Sequence, residues 1–317
     1  MRIVIPDDYQ DAVRGLNCFA KLAGHDVTIY RDTVKDTEEL AARFRDADAL
    51  VLIRERTAID DALLARLPNL RLISQTGKGA AHIDLDACAR RGIEVAVGTG
   101  SPYAPAELTW ALVLAAMRRI RSEAARMRDG GWQGELGTTV RGRILGILGY
   151  GKIGSLVAGY GRAFGMHVLV WGREGSRDRA LADGFSFAKS RNVLFETSDV
   201  LSLHLRLTKE TRGIVTARDL ALMKNTALLV NTSRAELIEP GALEAALRAG
   251  HPGMAAVDVY EEEPAPATEP LLQLPNVLCT PHLGYVERDS YELYFGQAFD
   301  NVLAFAASGR AASVTNP

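Results

Sequence analysis

Three residues in the second half of the chain have side chains suited to acting on a small anion. Arg234, Glu263 and His282 each follow a short apolar run by a few residues. An arginine can bind a carboxylate through two parallel hydrogen bonds, and a histidine exchanges protons near neutral pH. A carboxylate beside the histidine holds the imidazolium form. This combination predicts proton transfer on an anionic substrate.

Each of these residues also has an ordinary structural explanation. An arginine after a strand is commonly solvated, Glu263 ends an acidic run before Pro264, and His282 follows a proline at the end of an apolar run. The carboxyl ends of strands in an open parallel sheet, however, line one ligand crevice. Three such groups at three strand ends therefore favour an active site over a coincidence.

A glycine motif stands upstream of these residues, in ILGYGKIG. An apolar run leads into Gly149-x-Gly151-x-x-Gly154, a helical pattern follows through Lys152 and Ile153, and the strand-like HVLVW comes next. The first glycine permits a tight turn, the second lets a pyrophosphate approach the backbone, and the third lets helix and strand pack closely. The motif in this context predicts dinucleotide binding, with glycine-rich packing as the alternative.

The same stretch also matches the beginning of a triphosphate-binding loop. Gly146 to Lys152 fits G-x-x-x-x-G-K, but the next residue is Ile153, where such loops need Ser or Thr to hold magnesium. Gly146 also falls inside the apolar run. We therefore discount a nucleotide triphosphatase.

The stretch VLVWGREGSRDR predicts which dinucleotide binds. An NAD site places a carboxylate at this strand end, whereas an NADP site places an arginine near the 2′-phosphate. Here the carboxylate position falls on Gly172, and Arg173 stands beside it. Glu174 is the nearest acid and could serve NAD if the turn bends inward, while Arg173, Ser176 and Arg177 would attract a phosphate. The pattern favours NADP(H), with a solvated helix start as the alternative.

The elements that must position these residues alternate between strand-like runs and amphipathic helical patterns. MRIVI, DVTIY, ALVLI, LRLIS and IEVAV read as strands in the first hundred residues. Six further runs follow after Gly100, namely RILGILG (143–149), HVLVW (167–171), VLSLHL (200–205), ALLVN (227–231), MAAVDV (254–259) and NVLCT (276–280). This alternation predicts an α/β fold with parallel sheets covered by helices on both faces. Residues 106–130 read as one long helix, preceded by Pro102 and Pro105. The last helical pattern is expected to cross back to the first domain.

Composition excludes several classes of protein. The 317 residues carry a formal net charge of −2, which does not favour nucleic acid or an anionic membrane as partner. Cys18, Cys88 and Cys279 form no metal-binding spacing, and the N-terminus lacks the features of a signal peptide. No apolar segment is long enough to span a membrane. We expect a cytoplasmic protein without a metal.

The motifs VNTSRAELIEPGAL, DVYEEEP and TPHLG, with GYGKIG upstream, resemble those of the D-isomer-specific 2-hydroxyacid dehydrogenase family. This family includes phosphoglycerate dehydrogenase and the glyoxylate and hydroxypyruvate reductases. TGKGAAHIDLDACARRGIEV resembles its substrate loop, PAEL the start of its linking helix and GGWQG the segment before the glycine strand, so the likeness spans nearly the whole chain.

The resemblance implies a role for each strand-end residue. Arg234 would bind and polarise a 2-keto acid, His282 would be the acid/base, and Glu263 would pair with it. Asp258 would contact the nicotinamide amide. The resemblance implies further cofactor contacts at Thr232, Ser233, Gly284, His204, Arg206 and Thr211.

Substrate contacts are expected at Arg54, Lys78, Gly79 and Tyr285. Arg54 stands where phosphoglycerate dehydrogenases place an arginine, and Arg56 is expected to be solvated. Lys78 and Tyr285 replace residues that are usually small or apolar, so Lys78 is either a second anion clamp or a solvated loop residue. Arg206 replaces a common proline, and Ala235 replaces a frequent glycine. These departures leave the substrate open.

The family architecture implies two Rossmann-like, doubly wound domains with a hinged cleft. The substrate domain would be flavodoxin-like and comprise residues 1–99 and 285–317, and the cofactor domain would comprise residues 100–284 and form a homodimer. The end of the chain soon after the last helix weakens a role in serine synthesis, because enzymes of that pathway often carry a further C-terminal domain.

The leading hypothesis is an NAD(P)-dependent oxidoreductase that interconverts a small 2-keto acid and a D-2-hydroxy acid of the glyoxylate, hydroxypyruvate or 3-phosphoglycerate type. A cofactor-sensing, corepressor-like binding protein of the same fold is the alternative from another class. Phosphite or formate oxidation within the superfamily is a third, which Lys78 invites in the case of phosphite.

Overall fold

The structure is a computed structural model that describes residues 1–312, so residues 313–317 of the predicted substrate domain lie outside the described residues. The strands of the described chain are β1 Arg2–Ile5, β2 Asp26–Ile29, β3 Ala49–Leu52, β4 Leu72–Gln75, β5 Glu94–Val97, β6 Ile144–Leu148, β7 His167–Trp171, β8 Ser186–Phe187, β9 Val200–Leu203, β10 Leu228–Asn231, β11 Met254–Val257 and β12 Val277–Cys279. The α-helices are α1 Thr37–Phe44, α2 Asp61–Leu64, α3 Leu85–Arg90, α4 Tyr103–Met117, α5 Ile120–Arg128, α6 Lys152–Ala163, α7 Glu174–Ala182, α8 Arg191–Thr197, α9 Ala217–Ala221, α10 Ala242–Ala249 and α11 Arg288–Ser308.

The chain divides into two compact units. The first contains Met1–Ser101 together with the segment from Val286 onward, and the second contains Pro102–Tyr285. The first unit holds a sheet of five parallel strands in the order β2-β1-β3-β4-β5. This is the flavodoxin-like order that the resemblance predicted.

The second unit holds a sheet of seven parallel strands in the order β12-β11-β10-β9-β6-β7-β8. Counted from β6, this is the Rossmann order. The chain adds β7 and β8 on one side of β6 and then β9 to β12 on the other side, so the strand order reverses between β6 and β9. Ligands of such sheets bind outside the carboxyl ends of the strands at this reversal. The predicted α/β class with two parallel sheets is therefore confirmed.

The strands of the second sheet are buried on both faces, which explains their nearly continuous apolar sequences. In β10, Leu228 and Val230 pack into a layer with Trp110 and Val113 of α4. Leu229 points to the other face and packs with Phe195 of α8. Successive side chains of a strand alternate between faces, so one apolar run supplies both layers. Each fully buried Leu or Val stabilises the fold by roughly 1.5–3 kcal/mol relative to an exposed one.

The long helix predicted over residues 106–130 is wrong in one respect, because the structure divides it into α4 and α5. Arg119 adopts a left-handed conformation with φ of 56°, which ends the first helix and begins the second. Pro105 lies inside α4 rather than before it. It is tolerated there because the amides of the first helical turn have no partner within the helix.

Other predicted elements match the structure with small differences. The strand predicted over residues 200–205 ends at Leu203, and the one predicted over 254–259 ends at Val257. The two-residue strand β8 was not predicted, since it is too short to show a period. Helix α11 packs on the first sheet, where Ser74 Oγ donates to the Ala298 carbonyl at 2.9 Å.

Candidate active site

The glycine loop joins β6 to α6 in the second unit. Gly149 has φ of +98°, and a Cβ atom there would lie 2.8 Å from the His204 carbonyl oxygen. A Cβ on Gly154 would collide with the Gly149 carbonyl, so both positions require glycine. A Cβ on Gly151, by contrast, would meet nothing within 4 Å. The second glycine therefore leaves open space before the first residue of α6, which suits a pyrophosphate.

Lys152 and Ile153 of the motif lie at this helix start. Lys152 is the first residue of α6 and is exposed, while Ile153 is half-buried. Lys152 stands where the positive end of the helix dipole favours an anion. The residues present therefore fit the dinucleotide that the motif predicted.

His204 follows β9 beside the glycine loop. Its Nε2 and the Ser202 hydroxyl are 2.9 Å apart, and its Nδ1 is buried with no partner among the described residues. The side chain as a whole is half-buried, but burial of its ring nitrogens lowers the pKa of His204 to about 4. Thr211 Oγ1 donates to the Arg206 carbonyl at 2.7 Å and shapes the turn after this strand, where the Arg206 side chain is exposed.

The predicted ribose end lies at the carboxyl end of β7. Gly172 directly follows this strand, and a Cβ there would lie 3.0 Å from Ser176 Cβ. A side chain at this position would therefore be tight against Ser176. Arg173 precedes α7 and is exposed, and its guanidinium has no hydrogen-bond partner within residues 1–312. Glu174 is the exposed first residue of α7.

The structure brings two of the three strand-end groups into direct contact. His282 Nδ1 and Glu263 Oε2 are 2.6 Å apart, and both side chains are partly exposed. Glu263 Oε1 accepts a second hydrogen bond from the Tyr260 amide at 3.0 Å. Burial raises the pKa of Glu263, but the hydrogen bond and charge of His282, with smaller help from the Tyr260 amide and Arg234, bring it below its ordinary value. Glu263 is therefore held as a carboxylate.

Arg234 is half-buried and follows β10, the strand next to β11 in the sheet. Its charge acts on Glu263, so all three predicted residues lie at one place in the second unit. Arg234 Nη1 donates to the Ser233 carbonyl at 2.7 Å, and the Asn231 side chain donates to the Arg234 carbonyl at 2.9 Å. Asn231 is fully buried and fixes this turn, a role that the sequence analysis did not identify.

The two residues before Arg234 are fixed by neighbouring strands and helices. Ser233 Oγ donates to the Leu203 carbonyl at 2.7 Å. The Thr232 hydroxyl lies 2.7 Å from that of Thr109 on α4. These bonds connect the turn to β9 and to α4. The cofactor contacts expected of Thr232 and Ser233 stay a prediction.

Asp258 is fully buried and organises the loop that carries His282. Its Oδ1 accepts from Thr280 Oγ1 at 2.6 Å and from the Leu283 amide at 2.7 Å, and its Oδ2 accepts from the Gly284 amide at 2.9 Å. Burial raises the pKa of Asp258, and these bonds oppose the rise. Within this loop His282 adopts φ of 52°. The nicotinamide contact expected of Asp258 stays a prediction.

Tyr285 packs against the predicted acid/base. Its ring meets that of His282 edge to face, with centroids 5.5 Å apart, and its side chain is buried. The tyrosine thus fixes one side of the imidazole. Its predicted substrate contact stays a prediction.

Three predicted substrate residues belong to the first unit. Arg54 has φ of 56°, its amide donates to Thr76 Oγ1 at 2.9 Å, and its guanidinium lies 5.8 Å from the centre of the Tyr294 ring. Lys78 is exposed, in a loop between two glycines. A Cβ on Gly79 would meet the carboxylate of Glu55, so this loop packs directly on that side chain.

The prediction that Arg56 is solvated is wrong. The side chain is half-buried, Nη1 donates to the Asp7 carbonyl at 2.5 Å, and the guanidinium lies 4.3 Å from the centre of the Tyr9 ring. The sequence did not reveal this contact because Asp7 lies 49 residues away. The fork of donors and the flat face of arginine suit both partners.

The described residues hold neither a metal-binding cluster nor a membrane-spanning helix. No cluster of His, Cys, Asp or Glu within residues 1–312 has the arrangement of a metal site. None of the helices in the same range combines the length and hydropathy needed to cross a membrane.

The fold and site define a dinucleotide-dependent oxidoreductase, and comparison with known proteins identifies the family. The profile described as "D-isomer specific 2-hydroxyacid dehydrogenase, NAD binding domain" matches residues 110–284. A glyoxylate reductase of Aeropyrum pernix is 41% identical over 283 residues, which cover 85% of this chain and 83% of that protein. The chain therefore belongs to the D-isomer-specific 2-hydroxyacid dehydrogenase family.

Two further relatives show the range of this likeness. The solved structure of a phosphoglycerate oxidoreductase from Vibrio cholerae is 57% identical, with a TM-score of 0.95 over 97% of this chain and 99% of that one. A D-3-phosphoglycerate dehydrogenase of Methanocaldococcus jannaschii is 37% identical over 250 residues, which cover 78% of this chain but 47% of that protein. The chain thus spans about half the length of this dehydrogenase. The predicted family is confirmed.

Proposed function

We propose that this protein reduces a small 2-keto acid to the D-2-hydroxy acid, reversibly, with a nicotinamide cofactor. The contact of 2.6 Å between His282 and Glu263, beside Arg234, is the observation that carries the proposal. A binding protein would not need a proton donor, its carboxylate partner and an anion-binding group at one place. Turnover therefore explains this arrangement better than cofactor sensing does.

The glycine loop and Asp258 would hold the cofactor. When bound, the cofactor supplies a hydride to the carbonyl carbon or accepts one from the alcohol. His282 donates a proton to the carbonyl oxygen in reduction and takes it back in oxidation. Glu263 keeps the ring oriented through Nδ1, which leaves Nε2 for the substrate.

Arg234 binds the substrate carboxylate. Its planar guanidinium presents paired donors, and its fixed backbone aims them from the end of β10. The bound carboxylate would hold the adjacent keto group near His282. This arrangement explains why the two residues sit on neighbouring parts of one sheet edge.

The substrate class is that of glyoxylate, hydroxypyruvate or 3-phosphoglycerate. The names of two relatives support it, because one is a glyoxylate reductase and the other a D-3-phosphoglycerate dehydrogenase. Arg54 and Lys78 are proposed to bind a second anionic group of the substrate. The exposed ammonium of Lys78 is compatible with this role.

The preferred cofactor is NADP(H). Gly172 replaces the strand-end carboxylate, Ser176 occupies the space beside it, and Arg173 has a free guanidinium within the described chain. A 2′-phosphate would gain hydrogen bonds and charge pairing from these residues. NAD would lack the usual acceptor for its 2′-hydroxyl.

The second unit is proposed to form a homodimer. Large apolar side chains stand exposed on α5 and the segment after it, among them Met127 at 65%, Trp132 at 73% and Leu136 at 97% exposure. The same segment is held rigid, since Glu123 accepts from the amides of Gly134 and Glu135. A rigid apolar surface of this kind favours burial against a second copy.

The reaction is tested by measuring NAD(P)H oxidation with glyoxylate, hydroxypyruvate, pyruvate, 2-ketobutyrate and 3-phosphohydroxypyruvate. We expect turnover with at least one of them, and a kcat/KM at least about tenfold higher with NADPH than with NADH, the value of one charge-assisted contact. Cofactor binding without turnover of any of the five would favour the cofactor-sensing alternative. Faster turnover with NADH would refute the cofactor preference alone.

A further inference from the structure

Tyr150, the middle residue of the glycine loop, is anchored in the core of the second unit. Its side chain is 2% exposed, its hydroxyl donates to Asp183 Oδ2 at 2.6 Å, and its ring meets Phe185 edge to face at 6.0 Å. The neighbouring glycines have no side chains to fix them. The position of the whole loop therefore depends on Tyr150.

Arg179 connects this loop to the helix at the ribose end. Its Nη2 donates to the Tyr150 carbonyl at 2.9 Å, and the same nitrogen lies 3.5 Å from Ser176 Oγ. Arg179 belongs to α7, whose first turn carries Ser176 and follows Arg173 directly. A charge-assisted hydrogen bond thus spans the two segments that flank opposite parts of one adenosine diphosphate.

We propose that Arg179 is a positioning residue for the adenosine end of the cofactor. It fixes the first turn of α7 against the glycine loop, so that Arg173 and Ser176 stand at a set distance from the pyrophosphate position. The ribose end of the cofactor can then bind without the entropy loss of ordering α7. The inference rests on the proposed use of a nicotinamide dinucleotide, and it holds for either form of it.

Arg162 provides a matched control in the same cluster. Its Nη1 donates to the Asp183 carbonyl at 2.9 Å, and its guanidinium lies 4.6 Å from the centre of the Phe185 ring. It therefore holds the far end of α7 and not the first turn. If cofactor affinity depended only on packing around α7, replacing Arg162 and replacing Arg179 would lower the affinity by similar amounts.

The experiment is calorimetric titration of the wild type, Arg179→Met, Arg179→Lys and Arg162→Met with NADPH, NADH, 2′,5′-ADP and ADP. In Arg179→Met we expect the Kd of 2′,5′-ADP and NADPH to rise about tenfold, because binding must then order the first turn of α7. Arg179→Lys can still donate to the Tyr150 carbonyl and should keep most of the affinity. Arg162→Met should change the Kd of the same ligands less than about twofold. The loss appears in KM for the cofactor and not in kcat at saturation.

Equal losses in Arg179→Met and Arg162→Met, or no loss in Arg179→Met, would overturn the inference. Thermal unfolding of each variant checks that it is folded, and Arg179→Gln replaces Arg179→Met if that variant unfolds. Tighter binding of ADP than of 2′,5′-ADP by the wild type would reject the NADP(H) preference, and ADP then becomes the deciding probe for Arg179. Binding without turnover rejects the proposed reaction alone, and no binding of any nucleotide rejects both proposals.

Discussion

His282 Nδ1 lies 2.6 Å from Glu263 Oε2, although the two residues are 19 positions apart and follow different strands of the sheet. The contact orients the imidazole and supplies the negative charge that a protonated ring needs. It also directs the other ring nitrogen away from Glu263.

Glu263→Gln should keep the shape of this contact and remove its charge. We expect kcat for keto-acid reduction to fall by about 10- to 100-fold, while His282→Gln loses about 10²–10⁴-fold, the range of general acid catalysis. Rate measurements across pH at saturating substrate check both values. Equal activity of Glu263→Gln and wild type at all pH values would contradict the role of the pair.

Arg234→Lys should retain a positive charge and lose the paired donors. We expect kcat/KM for the keto acid to fall by about 10- to 100-fold, because a lysine binds a carboxylate as a point charge. Cofactor affinity, measured by titration, serves as the control and should stay near the wild-type value. A loss of cofactor affinity as large as the loss of kcat/KM would contradict the prediction, because it would indicate that Arg234 acts on the cofactor rather than on the substrate carboxylate.

Gly172→Asp should change the cofactor preference only when space is made for the new side chain. Its Cβ would lie 3.0 Å from Ser176 Cβ, so we pair it with Ser176→Gly. The double variant should use NADH better than NADPH, because the carboxylate accepts from the 2′-hydroxyl and repels a 2′-phosphate. The ratio of kcat/KM values for the two cofactors measures the change, with Ser176→Gly alone as control.

His82 should make the protein less stable in acid. Burial, with a smaller contribution from Arg54 and against the effect of Glu55, lowers the pKa of His82 from 6.5 to about 4. Both of its ring nitrogens lack a partner within residues 1–312. The unfolded chain therefore binds a proton before the folded one, and stability is lost as pH falls from 6.5 towards 4.

The free energy of unfolding in urea at pH 7.0, 6.0, 5.0 and 4.5 checks this prediction. His82→Gln should show a shallower fall over this range, whereas the exposed His167→Gln should follow the wild type. Well above pH 6.5 both the folded and the unfolded state are neutral at His82, so stability should there depend on pH equally in His82→Gln and in the wild type. Parallel curves for His82→Gln and wild type at low pH would refute the prediction.

Trp132→Glu should disrupt the proposed homodimer. The side chain is 73% exposed, so its replacement disturbs little within one chain, but a charge would be buried in an interface. Light scattering after size exclusion should give a dimer for the wild type and a monomer for the variant. Ile120→Glu tests the same surface independently, and an unchanged mass in both variants would reject this interface.

Much of the fold was predictable because its signals are local. Every strand of the first sheet and most of the second appear as apolar runs, and the glycine motif fixes a strand, a turn and a helix within a dozen residues. The break at Arg119 was not predictable, because neighbouring arginines are good helix formers and only the packing around α4 and α5 requires the left-handed residue.

The candidate site divides in the same way. The sequence by itself determined the residue types, the sheet ends they follow and the family, since these depend on spacing along the chain. Only the tertiary structure decided that Glu263 contacts His282, that Ser176 fills the space beside Gly172 and that Arg179 reaches the Tyr150 carbonyl. These contacts join residues from separate strands and helices, so they depend on the order of strands in the sheet and on rotamers fixed by packing.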